Sequence, residues 1–350
     1  QVLAPADRSL LDGHELTLRQ ALDRAAGEIA GVEDDEVRAT LLTGLGDVYL
    51  ALADYATAAD LLEQAVTLRR RLNDAARAGP DAALCQAVFL LARAEGSLGR
   101  ADRAEELFAE ALADAQLLNG EQSDKVAVIL QAWAQVLQGR GDIRQALSKM
   151  EAARLILAAN HAEDDPVFMR AQLLYFGMLR FVETNADVVG ELQKMIGVEV
   201  QREPPDRAFI AELASMVGSF LLKANRFEEA LELLELTEQM RREVLEPSHP
   251  LLAVTLTSKG GCLLHLGQIP PAILCFEEAL TIFTERNGAD HPSALQAADN
   301  LAVALMDASD FVRAEALLRT VIAGRLALAD GDGLMALSAR AKLGTVLTRQ

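Results

Sequence analysis

One spacing governs what this chain can fold into. Small residues at Gly46, Ala92, Ala134, Gly177, Gly218, Gly260, Ala302 and Gly344 stand 46, 42, 43, 41, 42, 42 and 42 residues apart, and the same residue types recur around them. Twelve residues beyond six of these anchors stands an alanine, at Ala58, Ala104, Ala146, Ala230, Ala272 and Ala314. Sixteen beyond them comes a bulky apolar residue: Leu62, Phe108, Met150, Leu234, Phe276 and Leu318. Alanine returns at nineteen in Ala65, Ala111, Ala153 and Ala279. Self-similarity at this period signals an array of stacked supersecondary units, not one closed core.

The offsets twelve, sixteen and nineteen differ by four and three, so these side chains share one face of a helix. Each unit therefore has a second helix with a narrow, alanine-bearing seam. A first helix precedes it, marked by Leu45-Gly46 with Tyr49, Leu301-Ala302 with Leu305, and Leu343-Gly344 with Leu347. Between the two lies a recurring turn: Leu98-Gly99-Arg100-Ala101, Arg140-Gly141-Asp142-Ile143 and Leu266-Gly267-Gln268-Ile269. Glycine there accepts the left-handed conformation that ends a helix, and Pro270-Pro271 fall where the next helix's first amides need no partner. Each unit is predicted to be a helical hairpin.

Composition agrees with helices packed through small side chains, since 51% of the 350 residues are hydrophobic but only 4% aromatic. With 52 Asp+Glu against 33 Lys+Arg the net charge is −19, which argues against a surface built to displace counterions from nucleic acid. Three cysteines, Cys85, Cys262 and Cys275, fit neither a disulfide framework nor a zinc site and read as free thiols of a reducing compartment. No apolar stretch approaches membrane-spanning length, and Asp7, Asp12, Glu15 and Asp23 interrupt the start, so no export signal, no membrane contact and a cytoplasmic location are expected. The chain opens on Gln1 instead of Met, from which a longer product is expected.

Paired small residues, helical hairpins and a period near 42 resemble tetratricopeptide repeats. The units are similar to the longer variety of kinesin light chains, whose inter-repeat turn reads as acidic or small residue, His, Pro; Ser248-His249-Pro250 and Asp290-His291-Pro292 stand in that place. The resemblance covers residues 36–350 and implies an all-α, right-handed α-solenoid superhelix of about sixteen helices, with a concave and a convex face. It implies about seven units and a C-terminal half repeat that stops after its first helix near Gly344. Residues 1–35 form a helical cap or partial repeat in which Leu18, Leu22 and Ala25 carry a second-helix seam. After Gly177 the seam positions hold Val189, Gln193 and Ile196, so the unit at 166–200 is expected to be degenerate, its second helix bent or shifted. The stretch from Leu16 to Ala26 also resembles the segment that joins bacterial serine/threonine protein kinases to a C-terminal array of such repeats. No kinase motif is present in this chain.

Candidate chemical sites are explained by the repeat. His249 and His291 are repeat-phased and precede proline, which favours a turn over a general base. Cys262 and Cys275 lack a metal-ligand pattern and read as core thiols. Glu33-Asp34-Asp35-Glu36 and Glu163-Asp164-Asp165 lack the alternation and glycine of a calcium loop and are expected to open helices. Arg69-Arg70-Arg71 and Arg241-Arg242 are expected near a helix's carbonyl end. No catalytic residue, metal or cofactor is expected.

What remains is the groove. The resemblance assigns the concave wall to first-helix residues six and three before each anchor and one, four and five after it. Asp47 falls there in the first unit, Gln86, Phe89 and Arg93 in the second, and Gln131, Gln135 and Gln138 in the third. Amides suit a peptide backbone, since each donates and accepts. The fourth unit contributes Leu174, Met178 and Phe181, and the fifth Glu212, Ser215, Ser219 and Lys223. Thr257 and His265 follow, then Asp299, Met306 and Asp307. Some family members clamp a terminal carboxylate with Asn and Lys; here only Lys223 and Asn300 match, in non-adjacent repeats. The apolar triplet Leu174, Met178 and Phe181 has two readings, a ligand pocket or burial against the next hairpin. A protein or peptide segment is the expected partner.

Overall fold

The computed structural model describes residues 18–76, 79–182, 186–327 and 333–349, and every regular element among them is a helix. The chain divides into two compact units, Gln1–Phe181 and Val182–Gln350. The first contains α1 (Leu18–Ile29), α2 (Asp35–Ala51), α3 (Tyr55–Ala76), α4 (Ala82–Ser97), α5 (Ala101–Asn119), α6 (Asp124–Arg140), α7 (Ile143–Asn160) and α8 (Pro166–Leu179). The second contains α9 (Ala186–Val200), α10 (Arg207–Lys223), α11 (Phe227–Val244), α12 (Pro250–His265), α13 (Ile269–Asn287), α14 (Pro292–Asp307), α15 (Phe311–Ala327) and α16 (Gly333–Arg349). Of the expected N-terminal cap, α1 is the helix described; residues before Leu18 lie outside the described residues.

The seam explains the stacking. Ala58, Ala104, Ala146, Ala230, Ala272 and Ala314 are all fully buried, as are the alanines seven residues further on. An added Cβ on Gly46 would lie 2.6 Å from Leu62, on Gly218 3.0 Å from Leu234, and on Gly260 2.8 Å from the Phe276 ring. The anchor and the bulky residue sixteen later are thus a packed pair, and the anchor must be small because its partner is large. Within six hairpins the chain turns through a left-handed residue seven positions past the anchor: Ala53, Gly99, Gly141, Asn225, Gly267 and Ser309, with φ between 57° and 89°. Three of the six are not glycine, which sequence inspection did not detect.

Helix entries follow the expected chemistry. Asp34 accepts the amides of Glu36 and Val37 at the start of α2, and Asp165 that of Val167 at the start of α8. His249 Nδ1 accepts the Leu251 amide and His291 Nδ1 the Ser293 amide, both at 3.2 Å, so each His-Pro pair opens a helix. Consecutive second helices are cross-linked at their surface, Arg70 donating to both carboxylate oxygens of Glu110 in the first unit and Arg242 to Glu278 in the second. These two pairs occupy identical repeat offsets.

The fourth repeat requires a correction. In α8 Phe176 and Met178 are buried, whereas Gly177 is half-buried. Burial in α8 therefore follows Phe176, which stands 42 residues from the anchor on either side. The same shift by one moves the seam of α9 to Val188, Leu192 and Met195, all buried, while Gln193 is exposed and Ile196 half-buried. Val189, at the position expected from Gly177, is buried as well. The division between the two compact units falls inside this repeat, between α8 and α9.

Candidate functional site: the wall of first helices

Within the first unit α4 meets both α2 and α6, and within the second α12 meets both α10 and α14, while α14 meets α16. First helices of successive hairpins therefore form a continuous wall in each unit. On it the offsets of six before, one after and five after the anchor are mostly exposed: Gln86, Val128, Asp47, Arg93, Gln135, Lys223, His265 and Asp307 all face solvent. Gln131 and Gln138 are half-buried on the wall of the first unit, and Ser219 and Asn300 on that of the second.

Several expected groove residues stand differently. Met178 is only 2% exposed and belongs to the core of the first unit, because the one-residue shift turns it away from the wall. Leu174 and Phe181 are exposed, but with Met178 removed there is no apolar triplet. In the corrected register α8 presents Arg170, Arg180 and Phe181, with the Arg180 guanidinium 4.9 Å from the Phe181 ring centre. Phe89 is largely buried and carries the Arg93 guanidinium over its ring at 5.8 Å. Asp299 is buried and its two oxygens accept from Lys342 of α16 at 2.8 Å. Ser219 donates to the Ser215 carbonyl, Asn300 accepts from Gln296, and the His265 ring stacks on Phe227 at 4.4 Å. Phe89, Arg93, Gln131, Gln135 and Gln138 stand in the first unit and Ser219, Lys223, His265, Asp299 and Asn300 in the second; the wall of each unit is a separate surface.

Sequence reasoning missed a set of arginines. Twenty-three residues past the anchors Gly46, Gly218 and Ala302 stand Arg69, Arg241 and Arg325, all buried. Arg69 does not lie at a helix end, since α3 continues to Ala76. Its guanidinium donates to Thr40 Oγ1 at 2.5 Å, that of Arg325 to Gln296 Oε1 at 3.1 Å, and that of Arg241 to the Leu251 carbonyl at 2.6 Å and to Thr255. Arg69 and Arg325 thus reach back to the first helix of their own hairpin, and Arg241 reaches forward to that of the next. Burial lowers the Arg241 pKa from its ordinary value, and Glu212 opposes that shift. The shared offset was the signal that could have found them.

Where the residue at this offset is not arginine, two such clefts are open. In the second repeat it is Ala115, and a cavity of about 200 Å³ lies between α4, α5 and α6. In the sixth it is Phe283, beside a more open cavity of about 350 Å³ between α12, α13 and α14. Cys85 is on the wall of the first and donates to the Ala111 carbonyl at 3.4 Å. All three thiols are free and buried, and burial pushes those of Cys262 and Cys275 up to about 11. No three His, Cys, Asp or Glu side chains among the described residues converge as metal ligands, and no described helix is long and apolar enough to cross a membrane.

Stacked hairpins joined by packed small residues define an α-solenoid. Residues 38–77 and 209–285 match models of the tetratricopeptide repeat, and the same hairpin recurs through both compact units; the chain is a tetratricopeptide-repeat array. Among solved structures, a Rap protein complexed with competence and sporulation factor is 14% identical, over 89% of this chain and 87% of that one, with a TM-score of 0.62. A signal transduction ATPase with numerous domains and a tetratricopeptide repeat sensor, from Pyrococcus horikoshii, is 13% identical over 95% of this chain and 50% of its own, with a TM-score of 0.56. A putative kinesin light chain with nearly identical repeats, from Podosopora anserina, is 19% identical over 70% of this chain and 97% of that one, with a TM-score of 0.32. No curated protein sequence matches.

Proposed function

We propose that this chain is a non-catalytic interaction module of the cytoplasm that holds an extended or helical segment of a partner protein against its wall of first helices. The observation that carries this reading is the amide-rich stretch of α6, where Gln131, Gln135 and Gln138 stand on one face beside the exposed Arg93 of α4. Such side chains replace the hydrogen bonds that a peptide backbone loses when it leaves water. The complex of the similarly folded Rap protein with competence and sporulation factor supports a protein or peptide partner. The sensor repeats of the Pyrococcus ATPase support a second reading, in which the array is the sensing or recruiting arm of a larger signalling protein such as a kinase.

A segment ordering on the wall loses conformational entropy, so affinity is expected to be on the order of micromolar. Pull-down of partners from cognate lysate, followed by titration of the captured segment, tests the reading. Gln135→Ala, Arg93→Glu and Lys223→Glu should weaken binding without lowering the melting temperature, each acting on segments held by its own unit. Glu235→Gln, on the second-helix side, should leave binding unchanged. The reverse pattern places the interface on the outer helices.

A further inference from the structure

The clefts twenty-three residues past the anchors show which side chain they accept. In three of them the protein's own arginine lies with its stem buried, and its guanidinium donates to an oxygen of the flanking first helices: Thr40, Gln296, or Leu251 and Thr255. The cleft of the second repeat has the same construction without that residue. It is lined by Cys85, Phe89, Ala115 and Val128 among others, and its polar groups are Gln86, Asn119, Asp124 and Lys125. Gln86 stands six residues before its anchor, the offset from which Thr40 and Gln296 accept from Arg69 and Arg325.

We propose that the open cleft between α4, α5 and α6 takes an arginine side chain supplied by a partner segment, in the place that Arg69, Arg241 and Arg325 fill from within. This rests on the groove reading above and names the partner's anchoring residue. The cavity of about 200 Å³ has room for one long side chain, below the size typical of small-molecule pockets. Charge favours a cation. Asp124, which also accepts from Asn160 and His161, and Lys125 both stand on the wall, and around the Cys85 thiol three carboxylates, Asp114, Asp81 and Glu110, act against that one lysine. The chain as a whole carries −19, which draws a basic segment toward it. An apolar side chain would cover the Gln86 amide against no donor, whereas a guanidinium offers five in a fixed fork. The cavity of the sixth repeat is the internal contrast: it is lined by Ser258, Ser293 and Phe283 with no carboxylate, so it has no comparable reason to select a cation.

The test uses the intact protein and an array of short peptides, randomised except for a central Arg, Lys, citrulline or Leu. Citrulline keeps the shape of arginine and removes its charge. The Arg set should bind best and the citrulline set about tenfold or more weaker, the loss of one hydrogen bond to a charged group. Ala115→Arg should abolish that preference by filling the cleft from within, with Gln86 in place to accept from it as Gln296 does from Arg325. Gln86→Ala, at an exposed position, should reduce the Arg-over-citrulline ratio with the melting temperature unchanged, and so tests the cleft even if Ala115→Arg does not fold. Equal binding of Arg and citrulline sets, strongest binding of the Leu set, or binding by no set overturns the arginine assignment. If Leu peptides bind and Arg93→Glu or Gln135→Ala weakens them, the groove reading survives that failure; if neither groove variant matters, both fall.

Discussion

The hairpin of α12 and α13 and the two helices α8 and α9, which end one compact unit and begin the other, bury the same offsets with opposite residue sizes. In the former Gly260, Ala272 and Ala279 are small and Phe276 alone is large. In the latter the corresponding positions are Phe176, Val188, Met195 and Leu192, and every one is buried. What recurs through this molecule is the burial pattern, with residue type following wherever two helices come close. Buried offsets therefore persist in α8 and α9 where the signature alanines are lost.

The largest expected effect breaks or sustains that comparison directly. Leu192→Ala should destabilise the second unit by about 2–5 kcal/mol through lost burial and a cavity, whereas Gln193→Ala, one residue on, should stay within about 0.5 kcal/mol. Thermal or denaturant melts decide it: similar costs at both would restore the register based on Gly177. Next, Ala272→Leu in α13 should cost about 1–3 kcal/mol by overpacking a seam with no free volume. The same change at exposed Gln193 should be nearly neutral, and a tolerant Ala272 would mean that the small-residue seam is not close-packed.

A third expectation contrasts how the repeats are entered. The last full repeat begins with a histidine cap at His291, whereas α8 begins with Asp165, and His161 just before it lies between two carboxylates. His161 Nε2 is 2.8 Å from Asp124 and its Nδ1 3.2 Å from Asp165. Hydrogen bonds to Asp124 and then Asp165 raise the His161 pKa above its ordinary 6.5. Since the folded value is raised, this pairing contributes fully below pH 6.5 and is lost as pH rises through the raised value. Asp124, held below 3.8 chiefly by Asn160 and then His161, loses its part as pH falls through its own lowered value. NMR titration of the imidazole should give a midpoint above 6.5 that drops in Asp124→Asn; a midpoint at or below 6.5 in the unaltered protein contradicts the pairing. The smallest effect concerns the turns: Ala53→Gly should stabilise by up to about 1 kcal/mol in a melt, since Ala53 holds φ 59°, while its greater unfolded-state freedom offsets part of the gain. A loss of stability would show that the Ala53 side chain contributes more than its strain costs.

Most of the fold was legible because packing imposed it on small residues. Ala104 and Ala272, the His-Pro caps and the glycine turns all announce their roles by type. The fourth repeat misled because Gly177 adjoins the buried Phe176, and only the even spacing of 42 on both sides favoured the phenylalanine; the misplaced Met178 followed from that choice. The wall itself was legible as offsets. The clefts behind it were not, because Arg69 and Arg241 look alike as helix-end cations; Arg241 does stand in the last turn of α11, and only the common distance from the anchor links the two.

The three buried thiols give each compact unit its own built-in clock. Cys85 belongs to the first unit and Cys262 and Cys275 to the second, and a buried, protonated sulfur reacts with an alkylating reagent only when its surroundings open. Mass spectrometry of a timed alkylation therefore reads two opening rates from one unmodified sample. Occupation of the cleft beside Cys85 would slow the first rate and leave the second untouched.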